Sequence, residues 1–414
     1  EIKGYSIKYG NIVDPKNNEI VDEVLVSYFV HPRSYTTEDI CEINTHGGII
    51  VERKILNICI ENGARLAEPG EFTKRAFLNG RIDLSQAEAI IDLINAKSDM
   101  EAKESINQLK GNLSSNIEKI ENKIMDIMVN IEVIIDYPEY DVEEITKEKA
   151  IEGLNDVKND LKKLEQSFER GKILRNGVRT VILGKPNAGK SSLLNAILNE
   201  NRAIVSNIEG TTRDTIEEFI NVDGISLKLI DTAGIREAKD EIEKQGIEKS
   251  LNLANNADLI IAIFDITKPL DGKDEEIIKL IKEREAIIVL NKIDCKPNKE
   301  VEERLKKLNI PIIRISAKNK TNINLLFNKI NEIYCSGKIV NESSSIITNE
   351  RHKNQIKIAK KSINDAIKSI ENDMPIDISS IYIKQSLEDL GEITGKNVSE
   401  NIVNEIFKKF CLGK

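Results

Sequence analysis

Residues 178–198 read VRTVILGKPNAGKSSLLNAIL, and this stretch decides the fold of the central part of the chain. An apolar strand pattern leads into a glycine-containing turn, and a helical pattern follows. Residues 184–191 match the spacing G-x-x-x-x-G-K-[ST]. Glycines let the backbone curl so that its N–H groups face a phosphate, and the helix N-terminus adds a favourable potential. The stretch predicts a phosphate-binding loop in which Lys190 reaches the β- and γ-phosphates and Ser191 binds Mg²⁺.

Two further motifs match the metal and switch functions that accompany such a loop. Residues 231–234 (DTAG) follow the strand-like run LKLI, so Asp231 is predicted to hold Mg²⁺ through water and the Gly234 N–H to contact the γ-phosphate. Residues 210–214 (GTTRD) lie between the two motifs, where a switch loop belongs. Thr212 can complete the Mg²⁺ shell only when the γ-phosphate is present, which would make the loop a switch.

The identity of the nucleotide base is predicted from residues 291–294 (NKID), which follow the apolar run AIIVL. The Asp294 carboxylate can accept hydrogen bonds from two adjacent donors on guanine, a pair that adenine lacks. A site built this way rejects the analogue by roughly 10⁴-fold, because its acceptor is left unpaired. Residues 316–318 (SAK) follow the next strand-like run and resemble a guanine-supporting loop. The motifs together predict GTP rather than ATP.

All predicted nucleotide-binding residues belong to these motifs or to the switch loop. They are Asn187, Ala188, Gly189, Lys190, Ser191, Ser192, Ser206, Asn207, Ile208, Glu209, Gly210, Thr211, Thr212, Asp231, Thr232, Ala233, Gly234, Asn291, Lys292, Asp294, Ser316, Ala317 and Lys318. Many small GTPases carry a water-positioning Gln directly after DTAG, where this chain has Ile235. No arginine finger is identifiable from the sequence, so another group must supply both roles.

The segment around these motifs has the alternation of an α/β domain. Five strand-like runs are separated by helical patterns, at 180–183, 227–230, 259–264, 287–290 and 312–315. This order predicts a parallel sheet with helices on both faces, and it assigns 177–336 to a Ras-like P-loop GTPase domain.

The flanking segments have other patterns. Residues 1–82 combine a strand at 23–30 with a helix at 49–61 and predict a small α+β domain. Residues 83–176 are predicted to be helical, with one long helix from about Ser85 to about Ile135 and another from about Val142 to Leu174. Helical patterns return in 337–414. The prediction is therefore one helical domain (83–176 and 337–414) that the GTPase domain interrupts.

Composition narrows the class of protein. The 414 residues are 40% hydrophobic and 31% charged, without an apolar run of about 18 residues, so no membrane span is expected. Five scattered cysteines without a CxxC pair favour a reducing cytosol and hence a cytoplasmic protein. The net charge of −9 argues against coating of nucleic acid by bulk charge. Because Glu1 lies inside a strand-like pattern, we expect the natural N-terminus to lie upstream.

Nearly the whole chain resembles the tRNA modification GTPase family MnmE, also called TrmE. Residues 34–48 (SYTTEDICEINTHGG) and 69–84 (PGEFTKRAFLNGRIDL) resemble its N-terminal domain, which is similar to folate-binding modules. GKPNAGKSSLLN, GTTRD and DTAGIRE resemble its GTPase domain. The last four residues, 411–414, read CLGK, close to the terminal C-[IL]-G-K of the family.

The resemblance implies a replacement for the arginine finger. Family members use a potassium ion at the phosphates, and the matching ligands are Asn187, Ser206, Ile208 through its backbone, and Thr211. A monovalent cation there offsets developing charge as a guanidinium would. Glu243 matches the glutamate that positions water in the family. From the residues alone, Asn187 can equally be an ordinary loop residue and Glu243 a solvated helix charge.

The resemblance also implies a folate site and a reactive cysteine. Glu42 and Arg81 match positions that bind 5-formyl-tetrahydrofolate or a related one-carbon donor, and Lys414 matches a folate-contacting terminus. Cys411 matches a residue with a chemical role in uridine modification, and nearby lysines would raise its thiolate fraction. Without the resemblance, Glu42 and Arg81 can be surface ion-pair residues and Cys411 a free thiol on a mobile tail.

The activity implied is GTP hydrolysis, dependent on Mg²⁺ and K⁺, coupled to tRNA modification. With an FAD-containing partner of the GidA/MnmG type, family members add an aminomethyl-type group at the 5-position of the wobble uridine. Catalytic roles would fall to Lys190, Glu243 and Cys411. A homodimer through the N-terminal domain is also implied, with nucleotide-dependent pairing of GTPase domains. Two alternatives stay open: a ribosome-assembly or signalling GTPase that acts as a switch, and a folate-binding one-carbon carrier with a regulatory GTPase domain.

Overall fold

The computed structural model describes residues 5–136, 143–198, 205–206, 218–222, 224–230, 254, 257–335, 346–411 and 413. The chain divides into two compact units, described separately below. The first comprises Glu1–Ile91, Asn107–Lys162 and Asn354–Lys414, and the second comprises Asp92–Ile106 and Lys163–Lys353.

The elements are numbered in chain order within the described residues. The strands are β1 (Ser6–Val13), β2 (Ile20–Phe29), β3 (Ile40–Asn44), β4 (Val178–Gly184), β5 (Val205–Ser206), β6 (Glu218–Val222), β7 (Ile225–Leu229), β8 (Leu259–Asp265), β9 (Ala286–Asn291) and β10 (Ile312–Arg314). The helices are α1 (Ile49–Glu61), α2 (Glu71–Leu78), α3 (Leu84–Ile94), α4 (Asp99–Leu109), α5 (Asn112–Asp136), α6 (Glu143–Asn176), α7 (Lys190–Leu198), α8 (Gly272–Ile281), α9 (Lys299–Lys306), α10 (Ile323–Cys335), α11 (Glu350–Glu371), α12 (Ile376–Thr394) and α13 (Glu400–Phe407).

The N-terminal part of the first unit is a three-stranded antiparallel sheet in the order β1-β2-β3. Tyr9 lies opposite Leu25, and Ile7 lies two residues before Tyr9 on the same face. Their exposed fractions are 69% for Ile7, 70% for Tyr9 and 48% for Leu25, so this face presents apolar side chains to solvent. We call these three residues the apolar sheet face. The predicted helix at 49–61 is confirmed by α1.

The prediction of one long helix from Ser85 to Ile135 is wrong. The chain forms three helices there, α3, α4 and α5. The first break lies before Ser98, whose hydroxyl accepts a hydrogen bond from the Glu101 N–H at 3.1 Å and caps the start of α4. The second break is at Gly111, whose φ of +86° ends a helix at low cost only for glycine. The apolar periodicity continues across both breaks, which is why it suggested a single helix.

Helices before and after the central segment pack together in the first unit. Lys396 on the α12–α13 connection pairs with Glu121 of α5 at 2.5 Å, and Lys158 of α6 donates to Asn364 of α11 at 2.7 Å. A cluster of buried apolar side chains joins α3 to the C-terminal helix: Leu84, Ala87, Val403, Ile406, Phe407 and Phe410. No helix in the described ranges combines the length and apolarity needed to cross a membrane.

The second unit contains a seven-stranded sheet in the order β10-β9-β8-β4-β7-β6-β5. The five strands from β10 to β7 are parallel, as predicted, but β6 is antiparallel to β7 and β5 is antiparallel to β6. The five predicted runs are thus confirmed as parallel strands, and β5 and β6, which were not predicted, extend the sheet in the antiparallel sense. The short β6–β7 connection explains the antiparallel pairing, because residues 223–224 are enough for a hairpin but too few for a parallel crossover.

Helices cover both faces of this sheet, as the alternating pattern predicted. Successive residues of β8 point to opposite sides, so Ile261 and Ile263 pack in one cluster with α7 and α10. Ile260 and Phe264 pack in the other cluster with α8 and α9. β8 is buried along its whole length, as expected for a central parallel strand.

The second unit also brings together residues that are far apart in sequence. A Cβ on Gly171 of α6 would lie 2.0 Å from the backbone oxygen of Ile347, so only glycine permits this approach. The Ile347 N–H donates to the Ser167 hydroxyl at 3.1 Å. The chain before the central sheet and the chain after it are thus in backbone contact. We call this the 171/347 contact.

Candidate nucleotide-binding site

The loop at 185–189 joins β4 to α7 in a conformation that favours small residues. Asn187 has φ +61° and Gly189 has φ +108°, both in the left-handed region. A Cβ at Gly189 would lie 2.1 Å from the Asn291 Nδ2, and one at Gly184 would lie 2.3 Å from the Ile263 Cγ2. Both glycines of the motif are therefore required by close approach, and Gly189 is required by its left-handed backbone as well.

Lys190 folds back over this loop at the start of α7. Its Nζ donates to the Gly184 oxygen at 2.7 Å and to the Lys185 oxygen at 3.0 Å. Ser191 and Ser192 follow in the exposed first turn of the helix. A helix N-terminus, an ammonium group and hydroxyls therefore meet at one edge of the sheet, a donor set that suits an anionic phosphate chain and an oxygen-preferring cation such as Mg²⁺.

Asn291 connects the two sides of the site. This side chain is 3% exposed, its Nδ2 donates to the Ala188 oxygen at 2.8 Å, and its Oδ1 accepts from the Ala317 N–H at 3.0 Å. The phosphate loop is thereby tied to the loop that follows β10. Asn291 was predicted from its motif to contact nucleotide, and its side-chain amide also holds the two protein loops together.

Asp294 is held by the second guanine motif. The exposed Asp294 carboxylate accepts from the Ser316 hydroxyl at 2.6 Å through Oδ1, and Ser316 itself is 1% exposed. This hydrogen bond is the main reason that the pKa of Asp294 is lowered. A charged, oriented carboxylate is the acceptor that the two N–H groups of a guanine edge require. Lys318 is exposed beside it.

Two supporting carboxylates were missed by the sequence analysis. Lys292 donates to the Asp265 Oδ2 at 2.6 Å, and the Thr267 hydroxyl and N–H donate to the Asp265 Oδ1. Lys185 pairs with Asp274 at the start of α8. Asp265 is the last residue of β8, and its position at a strand end could have identified it from the sequence. No sequence pattern indicated the pair between Lys185 and Asp274.

Several predicted site residues lie outside the described part of the chain. They are Asn207, Ile208, Glu209, Gly210, Thr211, Thr212, Asp231, Thr232, Ala233, Gly234, Glu243 and Lys414. Ser206 is described as a strand residue whose partner in β6 is Phe219. The predicted Mg²⁺ and K⁺ ligands on the switch loop therefore stay predictions.

The predicted folate residues lie in the N-terminal part of the first unit. Glu42 is exposed on β3, opposite Ser27 of β2. Arg81, which follows α2, donates to the Tyr35 oxygen at 2.6 Å, and its guanidinium lies 4.8 Å from the centre of the Tyr35 ring. The Tyr35 hydroxyl meets the buried Thr73 hydroxyl at 2.9 Å, which fixes this ring against α2.

Cys411 is exposed next to the same domain. The Gly70 N–H donates to the Cys411 oxygen at 3.3 Å. A Cβ at Gly70 would lie 2.9 Å from the Phe410 Cβ, so the terminal segment contacts the turn before α2 closely. The spacing of apolar residues before Cys411 predicts one helix face with Ile402, Ile406 and Phe410. Ile406 and Phe410 are buried as predicted, together with Val403 and Phe407, whereas Ile402 is 36% exposed. The C-terminal segment is thus fixed through Phe410.

The phosphate loop, the Asn291 bridge and the oriented Asp294 lie at the carboxyl ends of β4, β9 and β10, the edge where parallel α/β sheets bind ligands. They define a P-loop guanine-nucleotide-binding domain within a multidomain chain.

The chain belongs to the family of the tRNA modification GTPase MnmE. The family model described as the MnmE helical domain matches residues 84–411, and the model described as the GTP-binding protein TrmE N-terminus matches residues 1–81.

Relatives match along the whole chain. The tRNA modification GTPase MnmE of Acetivibrio thermocellus is 49% identical over 414 residues, 100% of this chain and 90% of that protein. The protein of the same name from Clostridioides difficile is 50% identical over 407 residues, 98% of this chain and 88% of that protein. A solved structure, a variant of Aquifex aeolicus Era bound to GDP.AlF4⁻, is 30% identical over 45% of this chain and 66% of that chain, with a TM-score of 0.30, which adds nothing to the family assignment.

Proposed function

We propose that this chain hydrolyses GTP during tRNA modification and, with an FAD-containing partner of the GidA/MnmG type, adds an aminomethyl-type group at the 5-position of the wobble uridine. The observation that carries the proposal is the match of the whole chain to one family, including the nucleotide motifs and the terminal cysteine. The partner flavin would supply the redox step.

GTP would bind along the carboxyl edge of the second unit's sheet. The loop at 185–189 and Lys190 would hold the phosphates, while Asp294 would hold guanine. Mg²⁺ would be held by Ser191 and Thr212, with Asp231 acting through water, and when bound it offsets charge on the phosphate oxygens. K⁺ would be held by Asn187, Ser206, Thr211 and the backbone of Ile208. Glu243 would position the attacking water.

The first unit would carry the uridine chemistry. We infer that Glu42, Arg81 and Lys414 hold a tetrahydrofolate one-carbon donor and that Cys411 is the reactive group. The contact between Gly70 and Cys411 supports this assignment, because it keeps the thiol beside the domain that contains Glu42 and Arg81. Arg81 has N–H groups beyond the one that contacts Tyr35, and these suit a carboxylate of the folate tail.

A homodimer through the N-terminal domain completes the proposal. The apolar sheet face exposes Ile7, Tyr9 and Leu25 on one side of a small sheet. Adjacent exposed apolar side chains of this kind are typical of protein interaction surfaces. Pairing of the GTPase domains would depend on the bound nucleotide.

Nucleoside mass spectrometry of tRNA tests the proposed function. Wild type and Cys411→Ser would be expressed in cells that lack their own copy. We expect wild type to restore the modified wobble uridine and Cys411→Ser to restore none. If both restore it, the assignment of Cys411 is wrong. If neither restores it while GTP is hydrolysed, a switch GTPase becomes the better description.

A further inference from the structure

The acidic start of α8 contacts the phosphate loop. The Lys185 Nζ lies 2.5 Å from the Asp274 Oδ2 and 3.0 Å from the Asp271 Oδ2. The exposed side-chain fractions are 18% for Lys185 and 3% for Asp274, so the shorter contact is largely shielded from water. An ion pair in such surroundings is less weakened by solvent and salt than an exposed one.

Both ends of this contact are fixed by their own local structure. The Asp274 carboxylate accepts from the Asp271 N–H at 3.0 Å, and the Asp271 carboxylate accepts from the Asp274 N–H at 3.2 Å. This reciprocal capping box anchors the first turn of α8. On the other side, Pro186 restricts the backbone of Lys185 to extended conformations. The pair therefore joins two constrained segments.

Lys185 stays charged in this position. Burial acts to lower the pKa of Lys185, but the hydrogen bonds and charges of Asp274 and Asp271 outweigh it, so the pKa is raised. Its charge is compensated by these two carboxylates. Lys185 therefore binds the phosphate loop to the start of α8 through its charged ammonium group.

The same connection contacts the guanine side of the site. Asp265, at the end of β8, holds Lys292 of the NKID motif at 2.6 Å. Residues 265–274 therefore bind the phosphate loop through Lys185 and the guanine motif through Lys292. We call residues 265–274 the anchor segment.

We propose that Lys185 is a positioning residue for GTP and that its ion pair with Asp274 holds the phosphate loop on the anchor segment in the conformation that binds nucleotide. The inference rests on the proposed GTP binding. Without the pair, the loop would spend part of its time in other conformations, and binding would have to restore the curved one. The free energy needed to restore the loop would lower the affinity for nucleotide. The rate of hydrolysis of bound GTP would stay the same.

The test compares three lysine variants in the full chain. Lys185→Met removes the ion pair without altering the α8 cap, Lys185→Arg keeps a cation, and Lys273→Met removes an exposed lysine of the same helix start. Dissociation of a fluorescent GDP analogue and steady-state GTP hydrolysis would be measured for each. We expect Lys185→Met to raise both the dissociation rate and KM about tenfold, with kcat within about twofold of wild type. Lys185→Arg should lie within about threefold of wild type, and Lys273→Met should match it.

A second variant keeps the proposal testable if Lys185→Met folds poorly. Asp274→Asn retains an oxygen for the Asp271 N–H but removes the charge, and it should reproduce the effect on KM. The double variant Lys185→Met/Asp274→Asn should be no worse than either single variant, since both remove one interaction. Unchanged KM in Lys185→Met, or a fall in kcat alone, would overturn the proposal. Failure of wild type to bind GDP would instead contradict the proposed function on which it rests.

Discussion

Gly189 shows how one residue without a side chain determines whether the nucleotide site can form. It combines a left-handed backbone conformation with contact to the amide of Asn291, which itself holds two loops. An alanine there would adopt a strained backbone and displace that amide. The loop would relieve the strain by leaving this conformation, and GTP binding would have to restore it.

We therefore expect Gly189→Ala to weaken GTP binding by about 10- to 100-fold, because strain of about 1–3 kcal/mol corresponds to a factor of ten per ~1.4 kcal/mol. Calorimetric titration with GDP measures the effect. Gly272→Ala is the matched control, since a Cβ there has nothing within 4 Å and no left-handed backbone. Equal affinity in Gly189→Ala and Gly272→Ala would contradict this account of the loop.

At the same scale, motif residues were predictable and their supports were not. Lys190 and Asp294 follow from spacing, because phosphate and guanine recognition place these residue types at strand ends. Lys185 and Asp274 are 89 positions apart (274 − 185), and neither belongs to a motif that specifies the other. Such a pair is created by packing of α8 beside β4, which a single sequence does not encode locally.

Among the elements, the start of α4 carries an unusual carboxyl group. Glu101 is 6% exposed, and its Oε2 accepts from the Lys97 N–H at 2.7 Å. Arg175 of α6 pairs with Asp92 at 2.8 Å close by, and both groups act on the pKa of Glu101. Burial is the largest influence and raises the pKa of Glu101 from 4.5 to about 7.

Ionisation of the Glu101 carboxyl group lowers the free energy of unfolding of the second unit as pH rises. Between about 4.5 and 7 the unfolded chain has already lost the Glu101 proton while the folded one keeps it, so ionisation favours unfolding. Glu101→Gln should stabilise the second unit at pH 8 by an amount on the order of 2–3 kcal/mol, with the gain vanishing towards pH 4.5. Thermal unfolding at several pH values measures it. Glu118→Gln, on the exposed face of α5, is the control for the change of residue type, and a pH-independent gain in Glu101→Gln would contradict the assignment.

Element boundaries show where sequence patterns lose information. The helix at 49–61 was predictable to the residue, because Gly48 precedes it and Asn62-Gly63 ends it. The breaks at Ser98 and Gly111 were missed, since apolar spacing continues through them and only the cap and the left-handed glycine mark them. The antiparallel strands β5 and β6 were missed as well: β5 has only two residues, and β6 lies between β5 and β7 rather than among the parallel strands.

For the whole molecule, the apolar sheet face leads to a prediction about assembly. If two chains pair through it, Ile7→Lys should convert a dimer into a monomer, because pairing would bury charges without partners. Light scattering after size-exclusion chromatography measures the mass. Ile381→Lys is the matched control, since Ile381 is 65% exposed on α12 in comparison with 69% for Ile7. A dimer that persists in Ile7→Lys, or a monomeric wild type, would contradict pairing through this face.

The 171/347 contact has a consequence for how such a molecule could arise. The chain leaves α6 after Asn176 and comes back to the same helix at Ile347, whose backbone contacts Gly171. Residues 172–346 therefore begin and end at one contact. If residues 172–346 were deleted, a few residues could join the two chain ends. Conversely, inserting a GTPase domain at this one point would add it to a helical protein without separating the parts of that protein. The 171/347 contact thus has the geometry of a domain-insertion point, with Gly171 permitting the close approach of the two chain segments.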